Sequence, residues 1–369
     1  MKMGALGPKK PPERKASPDP AALALLLRDV TLWKRPKMKL SFRFFAHIPF
    51  SLLAGAATLL APMSLTPVSA ATAEKSASAY VVIDHASGHV LDEFNASKKR
   101  QIGSLTKIVT AAVVLDWAHA ASQSIDQLAT VQPFRPELAN AQGIQWTPGD
   151  RATLKDLLYA MLLQSDNIAA ETLADFVGSA LSGGKDRELH QVSFVIQMNA
   201  LARKLGAENS RFLNPHGLDS LESKRPYSTA EDMAKISAYA MANPAFVFYV
   251  AQKERKISIL RADGSKQGFQ LVNTNRLLGR HGIDGLKTGT TKRAGECLII
   301  SAAKAPDVKK EGDTFFTTPR RLEVVVLDSE NRFSEAEELL QRGWAEHEAW
   351  VAAGRPETSR SKKRSLLGL

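Results

Sequence analysis

Hydrophobic rhythm changes twice along this chain, and those changes restrict its fold more than any single residue does. Residues 80–83 and 90–94 alternate with period two around Ser87-Gly88, which predicts a β-hairpin. Residues 154–163, 168–177, 192–205 and 231–242 then follow the helical period. Strand character returns at 256–260, 297–302 and 322–327. Strands at both ends with helices between predict an α/β fold. The N- and C-terminal segments close a sheet, and an all-helical lobe is inserted.

Ahead of the hairpin, residues 44–73 contain no Asp, Glu, Lys or Arg. They follow Lys37, Lys39 and Arg43 and end in the small-residue patterns Val68-Ser69-Ala70 and Ala71-Thr72-Ala73. This is the layout of a secretory signal peptide, assigned to residues 38–73. Pro49 and Pro62 interrupt the apolar run, which favours a cleaved signal over a stable transmembrane anchor. The mature chain is therefore expected beyond the cytoplasmic membrane, in the periplasm or cell envelope. Residues 1–37, rich in Pro and Lys, read as a disordered extension or as an over-long start ahead of Met38.

Charge follows the same division. The net +11 is concentrated at the ends, +8 in residues 1–43 and +4 in residues 355–369, which leaves the rest at −1. A near-neutral body offers nucleic acid no clustered basic surface. The single cysteine, Cys297, sits in an apolar run, and the eight histidines show no metal-ligand spacing, so no metal or other cofactor is expected. Residues 74–350 form one domain in this reading, and 351–369 a basic polar tail.

Three short elements stand in order within that domain: Ser104-Leu105-Thr106-Lys107, Ser165-Asp166-Asn167 and Lys287-Thr288-Gly289. Ser-x-x-Lys alone is unspecific, since it recurs at Ser182–Lys185, Ser301–Lys304 and Ser359–Lys362. Only the first copy is followed by both other elements and opens a long apolar helical stretch, 108–117. A serine hydroxyl needs a base beside it, and a lysine three residues on lies one helical turn away on the same face. The trio is the signature shared by penicillin-binding proteins and class A β-lactamases.

Other segments sharpen the resemblance: the 78–84 and 87–91 hairpin, Met198-Asn199 leading to Leu205-Gly206, and Phe212-Leu213-Asn214-Pro215-His216-Gly217-Leu218. Tyr227-Ser228-Thr229-Ala230-Glu231-Asp232-Met233-Ala234, Asn273-Thr274-Asn275-Arg276-Leu277-Leu278 and Asp284-Gly285-Leu286-Lys287-Thr288-Gly289-Thr290 complete it. Across roughly residues 77–345 the chain resembles the low-molecular-mass D-alanyl-D-alanine carboxypeptidases. That resemblance implies a five-stranded sheet of the β-lactamase and transpeptidase type flanked by helices, with Leu339, Leu340 and Trp344 on a last helix packed against it. It also implies peptidoglycan stem peptides as substrate and β-lactams as covalent inhibitors. Many relatives continue into a β-rich second domain and an amphipathic membrane helix. Nineteen residues follow Trp350, too few for either, so the single-domain form is expected.

The resemblance also implies roles. Ser104 attacks the penultimate D-Ala carbonyl, with Lys107 as a base kept neutral by burial and by the second cation Lys287. Ser165 relays the proton to the departing amine, and Asn167 orients Lys107 and contacts the substrate, while Asp166 is expected to cap the following helix. Lys287, Thr288, Gly289 and Thr290 bind substrate along a strand edge, with Gly289 giving it room and the two threonine hydroxyls meeting its carboxylate. The backbone N–H groups of Ser104 and Thr290 form the expected oxyanion hole. Some relatives carry His after Lys-Thr-Gly and Arg between the two asparagines; here Thr290 and Thr274 stand there, with Arg276 nearby.

Three other readings remain open. One is an endopeptidase of the same family, and another a non-catalytic envelope protein. The third is a class A β-lactamase, although no Glu between 188 and 231 is followed by Asn at the spacing such enzymes use for their deacylating water.

Overall fold

The computed structural model describes residues 77–139, 143–184, 186–219, 225–312 and 314–356. The expected extension and signal peptide, and the tail beyond Pro356, lie outside the described residues.

Five antiparallel strands form the main sheet in the order β2-β1-β9-β8-β7. They are β1 (Ala79–Asp84), β2 (Val90–Phe94), β7 (Ile283–Thr291), β8 (Gly295–Glu311) and β9 (Thr314–Ser329). The N-terminal hairpin therefore joins C-terminal strands, as the two-ended strand pattern predicted. Side chains alternate across a strand, so β1 feeds two cores at once. Tyr80 and Val82 pack with Leu298, Ile300, Val324, Val326, Leu340 and Trp344 beneath the last helix, α7 (Arg332–Ala352). Val81 and Ile83 face the helical lobe with Ile299, Val325 and Leu327. A strand covered on both faces needs continuous apolar sequence, and all six residues of β1 are buried.

The lobe contains α1 (Thr106–Ala120), α2 (Leu154–Leu163), α3 (Asn167–Ser182), α4 (Arg187–Lys204), α5 (Ala230–Met241) and the short α6 (Pro244–Val250). Helix α1 is buried from Thr106 through Leu115, on every side, which marks a central helix wrapped by others. Thr153, Asp166, Asp186, Thr229 and Asn243 cap the five later helices of the lobe by accepting a backbone N–H. Each such cap satisfies a donor the helix cannot use itself, worth about 1 kcal/mol.

One expectation needs correction. The strand expected at 256–260 does not join the main sheet: β5 (Glu254–Leu260) lies in a second, four-stranded sheet of order β3-β4-β5-β6. Its companions β3 (Leu128–Thr130), β4 (Arg151–Thr153) and β6 (Lys266–Val272) escaped notice because they are short or polar and largely exposed. Strand propensity indicates an extended segment and says nothing of its pairing partner.

Candidate active site

Three elements from distant parts of the chain meet at the N-terminus of α1. A single 3₁₀ turn, Gly103–Leu105, carries Ser104 straight into that helix, which places Lys107 on the next turn. Ser104 is 8% exposed and Lys107 is fully buried. The Lys107 Nζ lies 2.9 Å from Ser104 Oγ, 2.8 Å from Asn167 Oδ1 and 2.8 Å from the His216 carbonyl oxygen. As an ammonium, Lys107 donates to all three. As a neutral amine it has two N–H groups and one lone pair. The two carbonyl-type oxygens can only accept, so they take the N–H groups and leave the lone pair facing the Ser104 hydroxyl. Burial, with Lys287 adding to it, pushes the Lys107 pKa well below the ordinary lysine range, against the opposing pull of Asp166.

The turn between α2 and α3 supplies the second element. Ser165 sits there in the left-handed region at φ +62°, half-buried, and its hydroxyl has no hydrogen-bond partner among the described residues. Asp166 caps α3 through Ala169 N at 2.8 Å and accepts from Trp146 Nε1 at 3.0 Å, the expected structural role. Asn167 uses Oδ1 on Lys107 and donates Nδ2 to the Leu138 carbonyl at 3.2 Å. Its amide is thereby locked with the oxygen toward the lysine.

Strand β7, at the edge of the main sheet, supplies the third. Lys287 is buried and donates to the Thr288 carbonyl at 3.0 Å. Desolvation, with the Arg332 charge adding to it, lowers its pKa to about 7. Thr288 Oγ1 lies 2.7 Å from Thr274 Oγ1, while Thr290 is exposed. Gly289 does a different job from the one expected. A Cβ there would stand 2.7 Å from the Ile102 carbonyl oxygen and 3.1 Å from Leu105 N. Its missing side chain admits the serine-bearing turn, not the substrate. On the same contact, a Cβ at Gly103 would lie 3.2 Å from Thr290 N. The peptide preceding Ser104 is thus held against Thr290.

Sequence reasoning missed three participants. His216 contributes its carbonyl to Lys107, while its ring is kept neutral, its pKa lowered to about 3 by burial and the charges of Lys107 and Arg135. Only the Phe212–Leu218 resemblance signalled that segment. Thr274, noted only as a missing arginine, bonds Thr288 directly. Arg332, in the first turn of α7, brings a cation to the β7 edge. Its Nη1 donates to Thr290 Oγ1 at 2.6 Å and to the Gly289 carbonyl at 3.0 Å. Forty-five residues separate Lys287 from Arg332 in the sequence, and no local pattern connects them. Arg276 instead lies over the Phe333 ring, 5.6 Å from its centroid. Asn273 and Asn275 tie loops together, bonding Val250 O, Gln252 O and Gly285 O.

A buried serine–lysine pair at the N-terminus of a central helix, an Asn at the start of a second helix and a Lys-Thr-Gly edge strand define the class of penicillin-recognising serine hydrolases. The family described as D-alanyl-D-alanine carboxypeptidase matches residues 66–309, and the chain belongs to that family. The D-alanyl-D-alanine carboxypeptidase DacC of Escherichia coli is 34% identical over 278 residues, which cover 73% of this chain and 61% of DacC. The chain therefore spans about three fifths of that relative's length. The crystal structure of the Streptomyces K15 DD-transpeptidase aligns with a TM-score of 0.62 at 30% identity, covering 74% of this chain and 98% of that one. Penicillin-binding protein D2 of Listeria monocytogenes, solved in an ampicillin-bound form, gives a TM-score of 0.56 at 30% identity, with 74% and 98% covered.

Proposed function

We propose that the chain is a serine-type D-Ala-D-Ala carboxypeptidase that trims peptidoglycan stem peptides through an acyl-enzyme on Ser104. The observation that carries this reading is the Lys107 amine, fully buried, 2.9 Å from Ser104 Oγ, with both its other contacts to oxygen acceptors. Neutral Lys107 takes the hydroxyl proton as Oγ adds to the penultimate D-Ala carbonyl. The backbone N–H groups of Ser104 and Thr290 stabilise the oxyanion. The C–N bond then breaks, Ser165 gives its hydroxyl proton to the departing amine and is reprotonated from Lys107, and D-Ala leaves. Water attacks the resulting ester and restores Ser104. β-Lactams enter the same first step as covalent inhibitors.

Carboxylate recognition falls to the β7 edge. Thr288 and Thr290 offer hydroxyls, and Arg332, already bonded to Thr290, supplies the positive charge that a free C-terminus requires. This favours carboxypeptidase over endopeptidase action. The test is a side-by-side assay of a pentapeptide ending in D-Ala-D-Ala and a cross-linked muropeptide dimer, with products quantified. Free D-Ala from the pentapeptide is the expected result. Cleavage of the dimer alone would replace this reading with the endopeptidase one.

A further inference from the structure

Strands β8 and β9 run far past the sheet that contains them. Pairing with β7 ends at Ala302, and pairing with β1 ends at Leu322. Past single backbone bonds from Ala303 N to the Gly282 carbonyl and from His85 N to the Arg321 carbonyl, the two strands pair, among the described residues, only with each other, as far as Glu311 opposite Thr314. The ribbon's base is fastened to α7: Lys304 and Arg320 lie over the Trp344 ring, at 4.5 and 5.8 Å from its centroid. From Asp307 outward it projects roughly 15–20 Å, at about 3.3 Å per residue. A two-stranded ribbon with no third layer is only marginally stable in water.

This ribbon is also apolar where it should be polar. Val308, Phe315 and Phe316 are 59%, 53% and 50% exposed. The register sets their directions: Lys309 is opposite Phe316 and Lys310 opposite Phe315. Successive residues point to opposite faces. Val308, Lys310 and Phe315 thus share one face, and Lys309 and Phe316 the other. A rigid protein surface covers one face of a ribbon and leaves the second phenylalanine in water. A fluid lipid interface accepts both rings at once, while the neighbouring lysines reach back to the headgroups. Charge agrees with that occupant. Residues 304–321 carry a net +2, and Arg355 Nη2, 3.3 Å from Asp307 Oδ2, brings a further cation to the ribbon's base.

We propose that the β8–β9 ribbon is a lipid-binding element that inserts Phe315 and Phe316 into the surface of an anionic bilayer. The proposal stands independently of the catalytic reading. Cys297 is the only cysteine and is buried, so Thr314→Cys gives a single reactive position at the exposed tip for an environment-sensitive NBD label. The labelled full-length chain is titrated with phosphatidylglycerol vesicles, phosphatidylcholine vesicles and buffer. The double serine variant below separates insertion of the ribbon from attachment through apolar sequence elsewhere, such as residues 44–73. NBD emission should rise several-fold and shift to the blue with phosphatidylglycerol, respond weakly to phosphatidylcholine, and return toward the buffer value in high salt. Phe315→Ser/Phe316→Ser and Lys309→Glu/Lys310→Glu should each abolish the rise while fluorescent-penicillin labelling stays at the parental level. An unchanged signal with anionic vesicles, or a rise retained in the double serine variant, overturns the proposal. So does a lipid-independent rise with protein concentration, which would make a second copy the occupant.

Discussion

A lysine amine beside a serine can act as a base only while it is unprotonated, and the surroundings of Lys107 are arranged to that end. Burial and a second lysine both oppose its charge. Arginine at this position keeps the charge and cannot lose it in the working range. Lys107→Arg should therefore lower the acylation rate by about 10²–10⁴-fold, the usual worth of a general base. Lys287→Arg should cost less and act mainly on KM; stopped-flow acylation of both variants makes the comparison. Equal, small losses would leave Lys107 a structural role only. Lys287 also sets a pH limit. Its pKa of about 7 means that the charge beside the cleft is present below that value and fades above it. The alkaline limb of kcat/KM should begin near pH 7, and Lys287→Arg should move it upward. Arg332→Leu removes a charge-assisted bond worth about 1.5–3 kcal/mol, so KM for a pentapeptide with a free carboxylate should rise about 10–100-fold. Amidating that carboxylate should erase the difference between parent and variant.

The site depends on two elements pressed closer than side chains allow. Strand β7 meets the 103–105 turn through Gly289, where a methyl group would enter the Ile102 carbonyl. Gly289→Ala should destabilise the fold by about 1–3 kcal/mol and push β7 off the turn, lowering acylation with it. Thermal unfolding together with penicillin labelling separates this from a pure binding defect. The segment bearing His216 gives a second test. Its folded pKa of about 3 lies below the ordinary 6.5, so unfolding takes up a proton across that interval. Stability from this group is complete above about pH 6.5 and is lost as pH falls toward 3. In His216→Gln the melting temperature should depend less steeply on pH within that window, whatever the constant cost of the substitution. An identical slope in parent and variant would mean that the ring is charged in the fold.

At the scale of the molecule, order along the chain said more than local pattern. The return of strand character after the helices announced a sheet built from both ends, and the β2-β1-β9-β8-β7 order is that sheet. In the trio Ser104, Lys107 and Asn167, the three-residue spacing sets the first pair one turn apart, whereas Asn167, 60 residues on, was legible only because the ordered elements match a known motif set. Arg332 and the second sheet were not legible. Arg332 reaches Thr290 only through tertiary packing of α7, and β3, β4 and β6 carry too little apolar alternation to stand out. Export is an expectation at the scale of the whole chain, because the proposed substrate lies outside the cytoplasmic membrane. N-terminal sequencing of protein from a cell-envelope fraction should find a start between Ala71 and Glu74, and a full-length cytoplasmic chain would put enzyme and substrate in different compartments. The central claim, however, is a covalent bond to one hydroxyl. Purified protein should react with fluorescent penicillin to give a stable adduct that mass spectrometry assigns to Ser104. Ser104→Ala should lose the adduct while melting at the parental temperature. Labelling that persists in Ser104→Ala, or an adduct on any other residue, would contradict the account.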